Sequence, residues 1–376
     1  MKDSAIYIHI PFCDHKCIYC DFYSIITSEN IERFLFSLKK EIKSYSKTYS
    51  EDKIYKSIYF GGGTPSLMEP GYLREIILYL KDNYNISDDA EITMETNPGT
   101  VDKEKLFLFH NAGINRISIG IQSFDNDDLK FLTRIHDKDT AIQTVLTAGE
   151  TGFENISIDL IFNLPGQTKE KWEMNLQKAV ELPVKHCSAY SLILEKGTIL
   201  NKMVLDGKVS IQDEDCDAEL YELTIEFLEA HGFIQYEVSN FTKPGYECRH
   251  NNAYWRYRDY LSFGPSSHSF MNGRRWWNFS SLKHYISEIE INGTAVANFE
   301  DISRETALNE YVMLALRSKG LDLNEFQQKF GSSWISKNKD FFANLLEHKL
   351  ISEKNRFISL TPRGYSLCDE ILRKLL

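Results

Sequence analysis

The 376-residue chain contains no run of about 18 apolar residues, which excludes a membrane-spanning helix. It is also poor in basic charge: 43 Lys and Arg face 54 Asp and Glu, and a formal net charge of −11 argues against a nucleic-acid footprint. Glycine (20) and proline (9) are too sparse for a collagen-like or low-complexity chain. No targeting segment is expected, because the opening MKDSAIYIHIPFC has only a short apolar run that alternates like a strand. The chain reads as cytoplasmic. Cysteine is scarce and uneven. Of seven, Cys13, Cys17 and Cys20 lie within eight residues, while Cys187, Cys216, Cys248 and Cys368 are scattered. That is a poor disulfide framework and a good metal or redox signal in a reducing compartment.

What is present is a rhythm. Short β-rich runs at Ala5–Ile10, Ser57–Phe60, Glu91–Glu95, Arg116–Ile121, Ile156–Ile161 and Cys187–Leu194 alternate with helical stretches. The helices are expected at Ile31–Tyr45, Tyr72–Asn83, Lys103–Asn111, Thr140–Glu150 and Lys171–Leu182. This spacing predicts an α/β fold of six βα units around a parallel sheet, an open or partial barrel. Beyond Leu194 one amphipathic helix is expected at Asp213–His231, then a short strand near Tyr236 and an aromatic-rich loop region from Phe241 to Phe279. From Arg304 the chain reads as three helices and a strand pair, a winged-helix-like module close to neutral and so suited to packing rather than to DNA. The expected division is 1–210, 211–303 and 304–376.

Chemistry-bearing residues fall where the strands end, and parallel α/β folds bind ligands there. Cys13, Cys17 and Cys20 form a C-x3-C-x2-C run after the first strand. Three thiolates on one loop suit three irons of a [4Fe–4S] cube, leaving the fourth iron open to a chelating ligand. Structural zinc is the competing reading, with His9 or His15 as a fourth ligand.

The string Tyr7-Ile-His-Ile-Pro-Phe-Cys13-x3-Cys17-x-Tyr19-Cys20 resembles the opening of radical S-adenosylmethionine (SAM) proteins of the oxygen-independent coproporphyrinogen III oxidase-like group. The resemblance continues through Gly61–Pro65, Glu95-Thr-Asn97-Pro98-Gly99, Gly120-Ile-Gln122, Arg134-Ile-His136, Asp159–Thr168 and the segment 236–270. It implies a partial (β/α)6 radical-SAM barrel with a C-terminal α+β extension. It also implies a cluster on Cys13, Cys17 and Cys20, and SAM against Tyr7, Tyr19, Gly62, Gly63, Thr64, Glu95, Gln122, Arg134, Asp159, Ile193 and His268. The polar members offer donors and acceptors suited to a zwitterionic methionine and a ribose diol. The family chemistry is one-electron transfer from the reduced cluster to SAM, giving methionine and a 5′-deoxyadenosyl radical.

Two branches of the group are weighed. The oxidase branch decarboxylates coproporphyrinogen III and carries a further cysteine two residues after the third, where this chain has Phe22. Its members also have a longer segment before the first cysteine. The other branch consists of heme chaperones, and the string His250-Asn-Asn-Ala-Tyr254-Trp255 resembles its signature. An imidazole ligates heme iron and aromatics stack on a porphyrin, so His250, Tyr254 and Trp255 are the expected heme residues. The expected partners are heme, respiratory hemoprotein acceptors (membrane-associated ones included) and an electron donor, with no nucleic acid. Whether the chain is an enzyme is left open, with the chaperone reading ahead of the dehydrogenase.

Overall fold

The computed structural model describes residues 2–27 and 29–376. Six βα units open the chain. They are β1 (Lys2–Ile10) and α1 (Ile31–Tyr49), β2 (Lys53–Gly62) and α2 (Pro70–Asn83), β3 (Ile86–Thr96) and α3 (Lys103–Asn111). There follow β4 (Arg116–Gln122) with the short α4 (Asn126–Phe131) and α5 (Lys138–Glu150), β5 (Asn155–Phe162) with α6 (Lys169–Glu181), and β6 (His186–Ser191) with α7 (Ile199–Leu205). The starts of these helices are written locally. Asp102, Asp137 and Thr168 each accept a backbone N–H of the first turn of α3, α5 and α6, satisfying groups that a helix leaves unpaired. Strands β1 to β6 pair in parallel and in sequence order, which makes this half a partial (β/α)6 barrel.

Alternation along the strands separates two chemistries. One set of positions, including Ile58, Phe60, Ile92, Met94, Ile117, Ile119, Ile158 and Leu160, joins helix residues such as Phe34, Leu73, Phe109 and Trp172 in the main core. The alternate set is polar: Ser57 and Tyr59, Glu91 and Glu95, Arg116 and Ser118, Ser157 and Asp159, His186 and Ser188. The barrel interior is therefore a lined site and not an aliphatic plug.

The sheet is larger than six strands. Its order is β12-β11-β10-β9-β1-β2-β3-β4-β5-β6-β8-β7, twelve strands in all. After α8 (Glu214–Ala230), β7 (Ile234–Glu237) and β8 (Asn240–Thr242) cover the β6 edge. Helix α9 (Arg249–Trp255) follows, and then β9 (Tyr260–Phe263) joins the free edge of β1 in parallel. Strands β10 (His268–Met271), β11 (Arg274–Asn278) and, after α10 (Leu282–Asn292), β12 (Val296–Asp301) continue outward antiparallel. The expected loop region 241–279 is thus mostly ordered elements. They are three to seven residues long, too short to show a period, and pairing with a distant edge forms them.

The chain ends with α11 (Arg304–Leu316), then β13 (Leu321–Asp322), α12 (Leu323–Phe330), α13 (Ser333–Lys337) and α14 (Lys339–Glu347). A hairpin of β14 (Ile351–Lys354) and β15 (Phe357–Leu360), α15 (Pro362–Ser366) and α16 (Cys368–Leu375) complete it. This segment has its own three-stranded sheet and its own core around Phe326, Leu345 and Leu372. The hairpin turns where the sequence places it, with Asn355 and Arg356 at positive φ (53° and 60°) as a tight turn requires. The expected strand pair gains a third strand, and the expected three helices are more numerous and shorter.

Candidate functional site

The three clustered cysteines follow β1, on a loop that Phe12 anchors by a parallel bridge to Ile25. All three are half-buried. The Cys13 thiol lies 2.9 Å from the His15 carbonyl and 3.2 Å from Thr64 Oγ1. Arg134 Nη1 points at Cys17 Sγ at 3.5 Å. Burial raises the Cys20 pKa above its ordinary value, and its two neighbouring thiols push the same way. The loop packs tightly on the end of β2. A Cβ at Gly63 would stand 2.4 Å from the Phe12 carbonyl oxygen, and one at Gly62 2.7 Å from the His9 ring. The close approach these glycines allow is first of all that of the chain to itself.

Polar residues gather at the strand ends, several of them in one hydrogen-bonded relay. Arg134 Nη2 donates to Asn97 Oδ1 and to the Gly120 carbonyl, both at 2.7 Å. Asn97 Nδ2 donates to Thr64 Oγ1 at 2.9 Å, and Thr64 reaches Cys13. Two cluster thiols are thus tied by a relay of Arg134, Asn97 and Thr64. Gln122 lies beside it, at a bulge in β4 where this residue has a φ of 73°. A Cβ on Gly120 would meet Gln122 Nε2 at 2.9 Å and Asn97 Oδ1 at 3.0 Å, so the glycine leaves room for both. Tyr19 hydrogen-bonds Arg134. Glu95 accepts from the Tyr59 hydroxyl (2.9 Å) and the Gly62 N–H (3.2 Å), and burial pushes its pKa up to about 7. Asp159 accepts from Ser118 at 3.3 Å and is likewise raised, chiefly by burial.

His250 lies behind this layer, its ring 6.2 Å from Tyr7. Glu91 of β3 accepts the N–H groups of Arg249 and His250 and so holds the start of α9 deeper along the barrel strands. Glu91 is four residues before Glu95 on the same strand, a separation of roughly 13 Å. The His250 side chain is 1% exposed, with Nδ1 3.1 Å from Ser57 Oγ and Nε2 2.8 Å from the Tyr254 hydroxyl. Its ring stacks on Tyr59, and burial lowers its pKa to about 3. Both ring nitrogens are hydrogen-bonded within the protein, so any iron ligand role of His250 requires the Tyr254 or Ser57 contact to give way. The motif builds a buried plug. Trp255, on the same helix, faces a separate cleft beside the C-terminal segment.

A cavity of about 630 Å³ opens beside the cluster loop, between β9, β10 and α11. Phe22 and Tyr23 of that loop border it, together with Tyr7, Tyr254, Tyr260 and His268. Phe22 is 65% exposed. His268, expected among the SAM residues, is on this wall and away from the Arg134 relay. Ile193 is 66% exposed on the loop after β6, which ends three residues earlier than expected.

Sequence comparison gives the frame for this geometry. Residues 7–179 match the Radical SAM superfamily and residues 302–367 the HemN C-terminal domain. The chain is 36% identical over 371 residues to "Heme chaperone HemW" of Bacillus subtilis, covering 98% of this chain and 97% of that one. It belongs to the HemW family. The Escherichia coli HemW is also 36% identical, over 72% of this chain and 71% of its own. Among solved structures, coproporphyrinogen III oxidase (HemN) of E. coli matches with a TM-score of 0.84 over 100% of this chain and 90% of that one. At 22% identity this shows a shared fold.

Seen as a HemW-family site, the donor set fits a [4Fe–4S] cube. Each thiolate of a cube has its own iron, so the ligands need to share a loop and not a point. Among the described residues no three His, Cys, Asp or Glu side chains converge on a single ion. His9 is committed elsewhere: its Nδ1 is 3.2 Å from the Tyr7 hydroxyl, its Nε2 is 2.9 Å from the Tyr23 carbonyl, and burial lowers its pKa to about 4. Asn97 and Gly120 are the relay members that sequence reasoning left out of the site. Their signal was present, in Glu95-Thr-Asn97 and Gly120-Ile-Gln122, but only folding puts them beside Arg134.

Proposed function

We propose that this HemW-family chain is a heme chaperone that binds heme and delivers it to respiratory hemoproteins in the cytoplasm or at the membrane surface. One observation carries the reading. Its end-to-end likeness is to relatives named heme chaperones, and the position where the oxidase branch carries a further cysteine is the exposed Phe22. The proposed division is a cluster and SAM unit over 1–210, an extension over 211–303 and a winged-helix-like module over 304–376.

In this reading Cys13, Cys17 and Cys20 hold a [4Fe–4S] cluster. When bound, the cluster supplies an electron and an open iron that takes the methionine end of SAM. The residues proposed to receive SAM are Gly62, Gly63, Thr64, Glu95, Gln122, Arg134 and Asp159, with Tyr7 and Tyr19 beside them and Ile193 closing over. Glu95 and Asp159 offer carboxylate oxygens to ammonium and hydroxyl donors, and Gln122 an amide. The Arg134 fork brings a charged N–H donor to Cys17 Sγ and so helps to orient this sulfur toward an iron. An electron donor completes the partner set.

The test is anaerobic and uses reconstituted full-length protein. It should bind heme, transfer it to an apo-hemoprotein, and leave coproporphyrinogen III unchanged. Efficient decarboxylation of coproporphyrinogen III would move the chain to the oxidase branch.

A further inference from the structure

We infer that Glu91 is a positioning residue for heme: its buried carboxylate latches the HNNAYW helix in a closed arrangement that masks His250, and heme is taken up once that helix lifts. The inference rests on the heme-chaperone reading with His250 as an iron ligand. It adds the residue that controls when this ligand is bare.

The latch is visible in what holds α9. A helix of seven residues is too short to be stable by itself in water, so tertiary contacts keep it in place. Glu91, itself 6% exposed, accepts the Arg249 N–H through Oε2 (3.1 Å) and the His250 N–H through Oε1 (3.2 Å). Oε1 also takes the Cys248 thiol at 3.5 Å. Hydrogen bonds to a carboxylate are about twice as strong as neutral ones, so this is the firmest polar tie between α9 and the barrel. Ser57 of β2 adds a weaker one at His250 Nδ1, while Tyr254, on the same helix, covers Nε2. An iron needs one of these nitrogens free. The closed arrangement is the state that refuses it.

Two further observations favour lifting. The layer beneath α9 is polar and incompletely paired. Arg116 of β4, near Cys248 and Glu91, is 2% exposed, and its Nε has no hydrogen-bond partner among the described residues. Thr93, opposite Arg116 on β3, is buried with a hydroxyl that also has none. Buried polar groups without partners are uncommon in folded proteins, and water entering under a lifted α9 would satisfy both. The chain also bends on either side of the helix. Gly245 before it has a φ of 87°, and Tyr257 after it a φ of 53°, a left-handed conformation uncommon for a bulky aromatic residue. Such element-terminal positions are where hinges absorb backbone change.

When only a fraction of molecules is competent to bind, the apparent affinity falls by that fraction, so weakening the latch should tighten heme. Two readouts on the full chain test this. One is N-ethylmaleimide labelling of the fully buried Cys248, read peptide by peptide, and the other is ferric heme titration in the Soret region. Glu91→Gln keeps the shape and removes the charge. It should label Cys248 about tenfold faster and bind heme tighter by a similar factor, with the equally buried Cys187 unchanged. Ser57→Ala should move both readouts the same way by about two- to tenfold. Should Glu91→Gln also expose Cys187, a sign of general unfolding, Ser57→Ala decides by the same two readouts. Weaker heme in both variants, or unchanged Cys248 labelling in both, would overturn the latch. Heme binding unaffected by His250→Ala would overturn it too and leave the chaperone reading standing. Wild-type protein that binds no heme would overturn the chaperone reading itself.

Discussion

Glu95 shows how a single carboxylate is set by its surroundings. It accepts from Tyr59 and Gly62, yet burial outweighs those donors and lifts its pKa to about 7. A cationic ligand such as SAM needs the ionised form. SAM affinity should therefore climb as pH rises through about 7 and level off above it. Glu95→Gln should weaken SAM and flatten that profile, while iron content stays near wild type. Equilibrium dialysis between pH 6 and 8.5 checks it, and an unchanged profile in the variant would assign the titration to another group. Arg134 gives a second prediction at this scale. Its two nitrogens serve Cys17 Sγ and the Asn97–Gly120 pair at once, a span that only the planar fork of arginine provides. Arg134→Lys keeps the charge but loses hydrogen bonds to a charged donor worth about 1.5–3 kcal/mol each, or about 10–150-fold in SAM affinity. Asn97→Ala should fall in the same range. Affinities within twofold of wild type would show that the relay serves only the fold.

At the scale of elements, the cluster loop and β2 depend on each other through glycine. A methyl on Gly63 would overlap the Phe12 carbonyl, which is backbone and cannot rotate away. Gly63→Ala should push the loop outward and lower the iron retained after reconstitution. Gly71→Ala in α2 meets nothing within 4 Å and should keep full iron with equal or slightly higher stability. Equal iron in both variants would remove the glycine from the site. The elements that sequence reading located share one property: local information defines them. Helix α3 runs Lys103–Asn111 as expected because Asp102 marks its start. The first six strands carry alternation long enough to read. By contrast β9 is four residues, YLSF, and is a strand because the β1 edge accepts it. The same distinction divides the site. The cysteine spacing and the strand-end residues are visible one after another in the chain. The burial of His250 between Ser57 and Tyr254 depends on residues 193 positions away and 4 positions away, and no spacing reveals the first.

The whole molecule carries opposing sets of buried titratable groups, and their balance sets its pH range. His9 and His136 have pKa values lowered to about 4 and His250 to about 3, each chiefly by burial, against 6.5 when unfolded. The unfolded chain binds more protons than the folded one below pH 6.5, so these rings cost stability as pH falls. Burial also raises Glu41 and Glu95 to about 7 and Glu237 to about 8, against 4.5 unfolded. Here the folded chain binds the extra protons. The contribution of these carboxylates is fully present below pH 4.5 and is lost as pH rises through 7 to 8. The two limbs overlap between 4.5 and 6.5, which predicts a broad stability maximum there, with a decline on either side and a plateau above pH 8. Glu237 tests the alkaline limb at the seam between the large sheet and the C-terminal segment. It accepts the Ser239 N–H (3.1 Å), while the adjacent Val238 N–H donates to the Arg317 carbonyl at the end of α11. Ionising Glu237 therefore loads the junction as well as the sheet edge. In Glu237→Gln, melting curves from pH 4 to 9 should lose part of the decline between pH 6.5 and 8 and keep the acid limb intact. A variant that follows the wild-type curve across that interval would place the alkaline decline on Glu41 and Glu95 alone.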